Sequence, residues 1–478
     1  MAQLLPSPGV FWKPDTPHLR VSGNLEGEAG DIRLSVIGRL DEEHRHQGVI
    51  TSSYFDDMPS IPIIHGVIRK SLVTLLDLRQ VFEGFSAPGI EEMRYHPQFV
   101  VFGAHLDEDQ ANHPSTIQIR VSHLLRWLGK RGLIGTYTTT GGSPHSVDWN
   151  YTYPPSIEWN IPGFQVTLAG GLEPSHEWDK LEAFEYGYFT VRADQSMSIQ
   201  DWYIRIITPL HEMLKYAVFE TVSLGQIRLL LPEDAGEPTG GSHDFYRAEL
   251  VVNSYQPEQS TISSTFGPEI LFTAKDISDA VLQRFLDLDS PTQSIRDRLT
   301  YYEQTQMPKN DFFLSYVRLL ESFHRRLNPI SQAEIEAYKQ RLAAMAAQLS
   351  DEDGEFVAGR LKLAYEPGLS SRLHHLARPW KTRFKLSFGG QAILGPELEK
   401  IARHRNFLAH ELSEDERVLT GRSLNRANGL LRVVARLAAL SDCGFTDEQA
   451  WDAVSTTRLF ENIVRQYTGP EFDPTKLV

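Results

Sequence analysis

Only one cysteine, Cys443, occurs among the 478 residues, which excludes an internal disulfide and predicts a reducing compartment. No apolar run approaches the ~20 residues that a transmembrane helix requires. The first residues also lack the basic start and apolar core of a secretory signal peptide. These absences predict a soluble cytoplasmic protein that does not bind a membrane.

Motifs for several common chemistries are also missing. The sequence has no Walker-type phosphate loop, no His-Glu-x-x-His zinc helix and no Gly-x-Ser-x-Gly nucleophile turn. A single cysteine cannot build a cysteine-rich zinc site. The acidic run at 351–355 lacks the spacing of a calcium loop, whose glycine belongs at the sixth position. We therefore expect no cofactor and no metal.

Positive charge is scarce overall but concentrated in one segment. The net charge of −15 argues against indiscriminate nucleic-acid binding, which depends on phosphate neutralisation. Residues 372–405 nevertheless contain only two acidic residues and eight basic ones. The basic residues are Arg372, Arg378, Lys381, Arg383, Lys385, Lys400, Arg403 and Arg405, with His374, His375 and His404 as further donors. This segment predicts a surface that contacts the phosphates of a single strand.

Three aromatic residues, Trp380, Phe384 and Phe388, are interleaved with these cations. If exposed, their rings would stack on unpaired bases. If buried, they would belong to the core, and the alternation in residues 381–388 also describes a half-buried strand. The sequence leaves both interpretations open.

The pattern of apolar residues divides the chain into two parts and predicts an α+β protein. Residues 1–265 form a β-rich part, with strands near 31–37, 98–103, 116–121, 226–231 and 245–252, and a loop at 232–241. A long helix is expected near 198–222, and Pro209 should kink it or end its first half. Residues 266–478 form an all-α part. Its expected helices are 276–288, 293–305, 310–327, 331–349, 351–365, 395–412, 421–440 and 446–467, with N-caps at Ser331, Asp351 and Thr446.

A cation, an amide and an imidazole lie within six residues of the 395–412 helix, at Arg405, Asn406 and His410. Histidine can exchange protons near neutral pH, and arginine presents a planar fork of donors to phosphate oxygens. This set is typical of a metal-independent ribonuclease. An arginine followed by a histidine after four to six residues recurs elsewhere in the chain, so the context carries the prediction rather than the spacing.

Helix geometry leaves the identity of the catalytic cation open. At 100° per residue, Asn406 and His410 stand one above the other, and Arg403 is nearly aligned with His410. Arg405 lies about 140° around the helix from His410. Arg405 must therefore reach around the helix or serve His410 of another chain.

Three segments together resemble ApeA-type anti-phage proteins. The Arg-Asn-x-x-Ala-His motif at 405–410 is similar to the signature of HEPN ribonucleases, and Leu-Glu-Ser-Phe-His-Arg at 320–325 resembles a helix of the ApeA-like HEPN group. The opening at 9–14 and 21–25 is similar to the β-rich domain that precedes HEPN in these proteins. The resemblance implies a β-rich sensor or regulatory domain at 1–265 and an all-α HEPN ribonuclease bundle at 266–478.

The resemblance also implies a function in abortive infection. The protein would cleave RNA, with transfer RNA as one expected target, after sensing a phage-derived trigger protein. HEPN domains pair so that two motif helices form one cleft, which predicts a homodimer or a larger assembly of dimers. Arg405, Asn406, His410 and Glu321 would be catalytic, and the RNA-binding residues would be Arg403, Lys400, Arg378, Lys381, Arg383 and Lys385.

Two alternatives remain open from the sequence. Glu321 either orients His410 or Arg405, as the resemblance implies, or forms a surface salt bridge with Arg318 or Arg325 of its own helix. The domain is either an endoribonuclease or a non-catalytic HEPN dimer that binds RNA or protein. All three polar groups of the motif are present, which favours the enzyme.

Overall fold

The chain forms two compact units. The computed structural model describes residues 4–28, 30–40, 60–86, 90–107, 113–140, 143–177, 180–232, 245–253, 269–410 and 418–469. The N-terminal unit comprises Met1–Leu214, Thr221–Thr261 and Thr273–Leu286, and the C-terminal unit comprises Lys215–Glu220, Ile262–Phe272 and Asp287–Val478. The boundary expected at 265 and most of the loop expected at 232–241 lie outside the described residues.

Six antiparallel strands of the N-terminal unit close into a barrel. They are β1 (Leu4–Trp12), β2 (Val21–Gly27), β3 (Arg33–Ile37), β4 (Ser60–Ile68), β5 (Ser71–Ser86) and β6 (Ile90–Phe102). Neighbours run β1–β4–β5–β6–β3–β2 and back to β1, so every strand is paired on both sides. A closed barrel leaves no strand edge open along this ring.

Phe11 fills the barrel core, and three glycines make the space for its ring. Phe11 is fully buried. A Cβ atom at Gly66 would lie 2.5 Å from the Phe11 ring, and one at Gly9 or Gly23 would lie 3.2 Å from it. These glycines come from β4, β1 and β2, so close approach of the ring to three neighbouring strands depends on the missing side chains.

The remaining strands of this unit form an open antiparallel sheet and a separate hairpin. The elements are β7 (Thr116–Val121), α1 (Leu124–Leu128), β8 (Leu133–Thr140), β9 (Ser143–Tyr151), β10 (Ile157–Ile161), β11 (Phe164–Glu177) and β12 (Lys180–Ala193), followed after the long helix by β13 (Leu224–Pro232) and β14 (Phe245–Val252). The sheet order is β10–β11–β12–β7–β13–β14, and β14 pairs with β6 of the barrel. β8 and β9 pair only with each other among the described strands.

The long helix expected at 198–222 is present but ends earlier and contains a wide turn. It consists of α2 (Ile199–Trp202), a π-helical turn (Tyr203–Ile207) and α3 (Thr208–Val218). The Thr208 amide donates to the Tyr203 carbonyl, five residues back. Pro209 has no N–H to donate, and the regular α-helical pattern is interrupted directly before it by this wide turn.

The C-terminal unit is helical, and one further helix, α4 (Asp279–Leu286), belongs to the N-terminal unit. The helices of the C-terminal unit are α5 (Gln293–Gln304), α6 (Lys309–Leu327), α7 (Gln332–Ala346), α8 (Asp351–Leu361), α9 (Leu369–Ala377), α10 (Lys381–Ser387), α11 (Leu394–His410), α12 (Gly421–Asp442), α13 (Asp447–Ser455) and α14 (Arg458–Thr468). The longest, α12, packs against α6, α9, α13 and α14. No helix in the described part of the chain has the length and apolar character that crossing a bilayer requires.

Several helix predictions need correction. The expected helix at 446–467 is two helices, because the Thr457 side chain caps the start of α14. Ser350 rather than Asp351 caps α8, which ends at Leu361. Ser331 and Thr446 are N-caps, as predicted. The helices α9 and α10 were not foreseen.

One buried carboxylate joins three of these helices. Glu303 of α5 pairs with Arg432 and Arg436 of α12, and the Arg436 Nη2 atom lies 3.0 Å from Glu303 Oε2. The Tyr316 hydroxyl of α6 donates to Glu303 Oε1 at 2.9 Å. Burial alone would raise the pKa of Glu303, but the two arginines outweigh it and hold that pKa well below its ordinary value. The carboxylate therefore stays charged.

Replacing this carboxylate should strongly destabilise the protein. Glu303→Gln would leave Arg432 and Arg436 without their shared counter-charge, and breaking a buried ion pair on one side costs about 3–5 kcal/mol. We expect a loss of that size in the free energy of unfolding, measured by urea denaturation at pH 7. Tyr316→Phe is the matched control, because it removes one hydrogen bond worth about 1 kcal/mol and leaves both ion pairs.

The same variant should change the pH dependence of stability. A carboxylate whose pKa is depressed in the folded state contributes stability above its ordinary pKa of 4.5 and loses it as the pH falls through the folded pKa. Unfolding curves of the wild type should therefore show a steeper loss of stability below pH 4.5 than those of Glu303→Gln. Equal acid sensitivity of the two proteins would contradict the assignment.

Candidate functional site

The helix α11 carries the residues of the predicted site, and its apolar side sets their direction. Leu398, Ile401 and Ala402 are buried, as is Glu397 in the first turn. Pro396 occupies the first turn, where its missing N–H costs nothing. Because one side of α11 packs inward, residues around the motif face outward: Asn406 is exposed and Arg405 partly exposed.

Arg405 is oriented by two other residues of the predicted site. Its Nη2 atom lies 3.6 Å from Glu321 Oε2 on α6, and its Nη1 donates to Asn406 Oδ1 at 3.2 Å. The Glu321 side chain is only 15% exposed and that of Arg405 is 33% exposed. A pair this close to the surface contributes at most about 1 kcal/mol to stability. Its main effect is to fix the direction of the guanidinium.

The structure places Glu321 against Arg405 rather than against a cation of its own helix. Arg325, one of the two intrahelical partners considered, instead pairs with Glu366 at 2.8 Å. Glu321 therefore meets the motif helix, in the arrangement that the resemblance implies.

His410 is the last residue of α11, and its side chain lies outside the described residues. The helix is continuous from Asn406 to His410, so these two positions lie about one turn apart along it. The offset of about 140° between positions 405 and 410 also holds for this continuous helix.

The two competing arginines differ in their surroundings. Arg403 is exposed, and its Nε lies 3.5 Å from the Glu399 carbonyl of its own helix. Arg405 is instead held by a carboxylate from another helix and by an amide. The geometry therefore distinguishes an oriented cation at 405 from a solvent-exposed one at 403.

The predicted RNA-binding cations fall into two groups. Arg378, Lys381 and Lys385 are exposed, as a phosphate-contacting surface requires. Lys400 pairs with buried Glu397 at 3.0 Å, and Arg383 lies 3.5 Å from Glu448 and 3.7 Å from Asp452. Lys400 and Arg383 are thus already engaged by carboxylates, which weakens their attraction for phosphate.

The prediction of aromatic stacking platforms is wrong, and so is the alternative of a strand. Residues 381–387 form the helix α10, and Trp380, Phe384 and Phe388 are at most 1% exposed. Their spacing of four residues puts the three rings on one side of a helix, which faces the core. Phe384 packs on Trp451 and Phe388 on Tyr467. The basic segment therefore offers charge without exposed rings.

Two polar residues of the basic segment are also internal. His404 is 1% exposed and packs edge-on against Phe313, and burial lowers the pKa of its imidazole. Arg372 is 3% exposed, donates to the Pro367 carbonyl and pairs with Glu366. Neither can serve as the surface donor that the sequence suggested.

Two histidines form a pair next to this cluster: His324, which had no predicted role, and His375, one of the predicted donors of the basic segment. His324 lies on α6, one turn beyond Glu321, and its Nε2 is 2.8 Å from His375 Nδ1 on α9. Burial lowers the pKa of His324, and the neighbouring His375 and Arg372 lower it further. His324 therefore stays neutral near pH 7. The sequence offered one indication that His324 lies near the site: it follows Glu321 by three residues, a spacing that puts both on the same side of a helix.

Among the described residues, no group of three His, Cys, Asp or Glu side chains is arranged to hold a metal ion. The cluster consists of one oriented cation and one amide near the end of α11, together with one carboxylate from α6. Such a set can hold and polarise a phosphate without a metal ligand.

Comparisons with known families cover both units of the chain. Residues 7–285, more than half of the chain, match the family described as ApeA N-terminal domain 1. Residues 314–449, which include Glu321 and the Arg405–His410 motif, match the family described as Apea-like HEPN. Comparison with curated proteins and with solved structures returned no match. The chain therefore belongs to the ApeA family, with an ApeA N-terminal domain followed by an ApeA-like HEPN domain, the architecture of an anti-phage HEPN effector.

Proposed function

We propose that the HEPN domain is a metal-independent endoribonuclease that acts in the cytoplasm in abortive infection. The observation that carries the proposal is the orientation of Arg405 by Glu321 and Asn406, on a helix that ends at His410. A cation held in one direction stabilises developing charge better than a freely moving one, because no reorganisation is needed during the reaction.

In the proposed reaction the 2′-hydroxyl of an RNA nucleotide attacks the adjacent phosphorus. His410 takes the proton from the 2′-oxygen and returns a proton to the departing 5′-oxygen. Arg405 stabilises the charged phosphorane, and Asn406 holds the scissile group. Glu321 is a positioning residue that acts through Arg405. The products are a 2′,3′-cyclic phosphate, or a 3′-phosphate after its hydrolysis, and a 5′-hydroxyl; DNA lacks the nucleophile and resists cleavage.

The substrate is a single-stranded region of RNA, with transfer RNA loops or messenger RNA as targets. Unpaired bases can be turned outward into a cleft, whereas an A-form duplex hides them. Exposed Arg378, Lys381, Lys385 and Arg403 supply phosphate contacts on the strand flanking the reacting group. Since the aromatic residues of this segment are buried, affinity should come mainly from charge and be sensitive to salt.

We further propose that the active form is a homodimer or an assembly of dimers that responds to a phage-derived trigger protein. HEPN domains bind RNA and often dimerise. The offset of about 140° between Arg405 and His410 separates the two groups on one helix. Two copies of α11 related by a twofold axis can present Arg405 of one chain to His410 of the other.

Replacement of His410 tests the proton transfer. His410→Ala should reduce cleavage of total cellular RNA, assayed in EDTA, by at least about 100-fold, because general acid–base catalysis contributes 10²–10⁴-fold. Phage plaque numbers should rise to those of cells without the protein. His18→Ala, which changes an exposed histidine of the N-terminal unit, is the control and should keep its activity.

The oligomer size and the unfolding temperature of His410→Ala should equal those of the wild type. A misfolded or monomeric variant would mean that His410 supports the structure rather than the reaction. If wild-type protein leaves RNA intact even with extract from infected cells, the non-catalytic binding dimer would be the better description.

Arginine replacements test which cation is catalytic. Arg405→Ala should lower the rate of cleavage about 10²–10³-fold, the effect of removing one transition-state donor. Arg403→Ala, on the same helix and with the same change in charge, should weaken RNA binding and leave the turnover of bound RNA nearly unchanged. The reverse ranking would assign the catalytic cation to Arg403.

Mixing two inactive variants tests the composite cleft. Arg405→Ala chains and His410→Ala chains should regain partial cleavage when they are mixed and allowed to exchange subunits. In a mixed dimer, one of the two pairs of Arg405 and His410 in the shared cleft would be intact. Sedimentation should show a dimer or a multiple of it. Full activity in a monomer, or failure of proven mixed dimers to cleave, would place both groups within one chain.

A further inference from the structure

A recess of about 850 Å³ opens on the N-terminal unit, where β7, α1, β12 and β13 meet. Its volume falls within the range of ligand-binding pockets, roughly 300–1,000 Å³. His123 lies in its wall with a positive φ of 66°, a strained conformation for a residue other than glycine. The recess is far larger than a single ion requires.

The lining of this recess is positively charged, in a chain whose net charge is −15. Arg120, Arg126, Lys130 and Arg131 line it, with Glu185 as the one carboxylate among the lining residues. Glu185 Oε1 already accepts hydrogen bonds from two backbone amides, at 2.6 and 2.8 Å. The local charge therefore favours an anionic ligand.

Arg120 is held ready for such a ligand. Its guanidinium carbon lies 3.6 Å from the centre of the Tyr186 ring, and its Nη1 is 2.9 Å from Glu173 Oε2. The ring in turn lies against Gly171, where a Cβ atom would come within 2.6 Å of it. A guanidinium has five N–H donors, and the pair with Glu173 engages only one nitrogen.

The recess continues along the outward side of the sheet. A smaller hollow of about 150 Å³ shares Arg120, Tyr186 and Gln226 with it. The hollow adds Gln118, Tyr188, Arg228 and Arg247. We call the two together the sheet groove.

Strand alternation explains why these polar residues share one side. On β7, Gln118 and Arg120 point away from the core into which Ile117 and Ile119 are buried. The strand register places Tyr188 opposite Arg120 and Arg228 opposite Gln118. Cations, amides and a tyrosine ring thus lie on adjacent strands along the sheet groove; Glu249, opposite Arg228, adds one carboxylate.

We propose that the sheet groove binds nucleotides, either free or within a single strand. Phosphates match the arginines, the amides of Gln118 and Gln226 match base edges, and Tyr188 offers a ring beside them. An acidic peptide fits less well, because bound peptides commonly add a strand at a sheet edge. The groove lies on β12, β7 and β13, which are paired on both sides. This binding is separate from RNA cleavage by the HEPN domain.

The test measures binding of a strand that the HEPN domain cannot cleave. A fluorescein-labelled 2′-O-methyl hexauridylate lacks the attacking hydroxyl and is titrated into the full chain by fluorescence anisotropy. Arg131→Gln and Arg228→Gln should each weaken binding about tenfold. Each should also lower the slope of log K against log salt concentration by about 0.7, the loss of one single-strand phosphate contact.

Arg79→Gln is the matched control, because Arg79 is an exposed arginine on β5 of the same unit, outside the groove. It should bind the strand like the wild type. Equal affinities of the control and both groove variants would overturn the proposal.

Competition identifies the form of the ligand. ATP, inorganic phosphate and a hexaglutamate peptide are each added to the bound strand. Displacement by ATP at concentrations comparable to the strand supports a free nucleotide, and much weaker displacement supports a strand. If hexaglutamate displaces the strand at the same concentration as ATP, the groove recognises negative charge alone. That result would contradict the proposal.

Photocrosslinking separates this site from the HEPN domain. A hexanucleotide with 4-thiouridine should crosslink to peptides that contain residues 118–131 or 186–188 in the wild type, and less in Arg228→Gln. Crosslinks confined to residues beyond 287 would overturn the proposal. Loss of cleavage in His410→Ala with groove crosslinks retained would show that the two sites act independently.

Discussion

Glu303 is the buried carboxylate on which the arrangement of the HEPN helices depends. Its charge is kept by Arg432 and Arg436 of α12, and Tyr316 of α6 donates to it. A buried charge tolerates little displacement of its partners, because each lost contact exposes an uncompensated ion. The network thereby sets the position of α6 relative to α5 and α12, and with it the position of Glu321.

The contact between α6 and α11 is completed by apolar packing. Phe313 of α6 meets the His404 ring of α11 at 4.7 Å, deep in the unit, while Glu321 and Arg405 meet two turns further along α6, nearer the surface. The inner contact sets how closely α6 and α11 approach each other. At that separation, the outer contact orients the Arg405 guanidinium. Catalytic geometry at the surface is in this way supported by the core.

The N-terminal unit separates its core from its exposed chemistry by strand alternation. In the barrel, alternate residues point inward around Phe11, and in the open sheet one side packs inward. The other side of β7, β12 and β13 is free for arginine, glutamine and tyrosine. A sheet whose strands are paired on both sides is rigid, which suits a binding surface that must hold several side chains in register.

Periodicity predicted much of the fold because it depends on short-range geometry. The strands 116–121 and 245–252 and the helices α5, α6, α11 and α12 lie within a few residues of their predicted positions. Periodicity failed at α9 and α10. The alternation of residues 381–388 suggested a strand, but the four-residue spacing of Trp380, Phe384 and Phe388 was the pattern that mattered. Only the surrounding core decides between two patterns that overlap in one short segment.

The sequence by itself determined the α+β division, the helical setting of the motif and the presence of Arg405, Asn406 and His410 on one helix. Only the tertiary structure decided which residues of the basic segment face solvent. Arg372 and His404 are internal, whereas Arg378 and Lys381 are exposed, although all four look alike in the sequence. The structure also decided that Glu321 meets Arg405 and that His324 meets His375. Such pairs join helices far apart in the chain, and the packing of apolar sides brings them together, which no local pattern encodes.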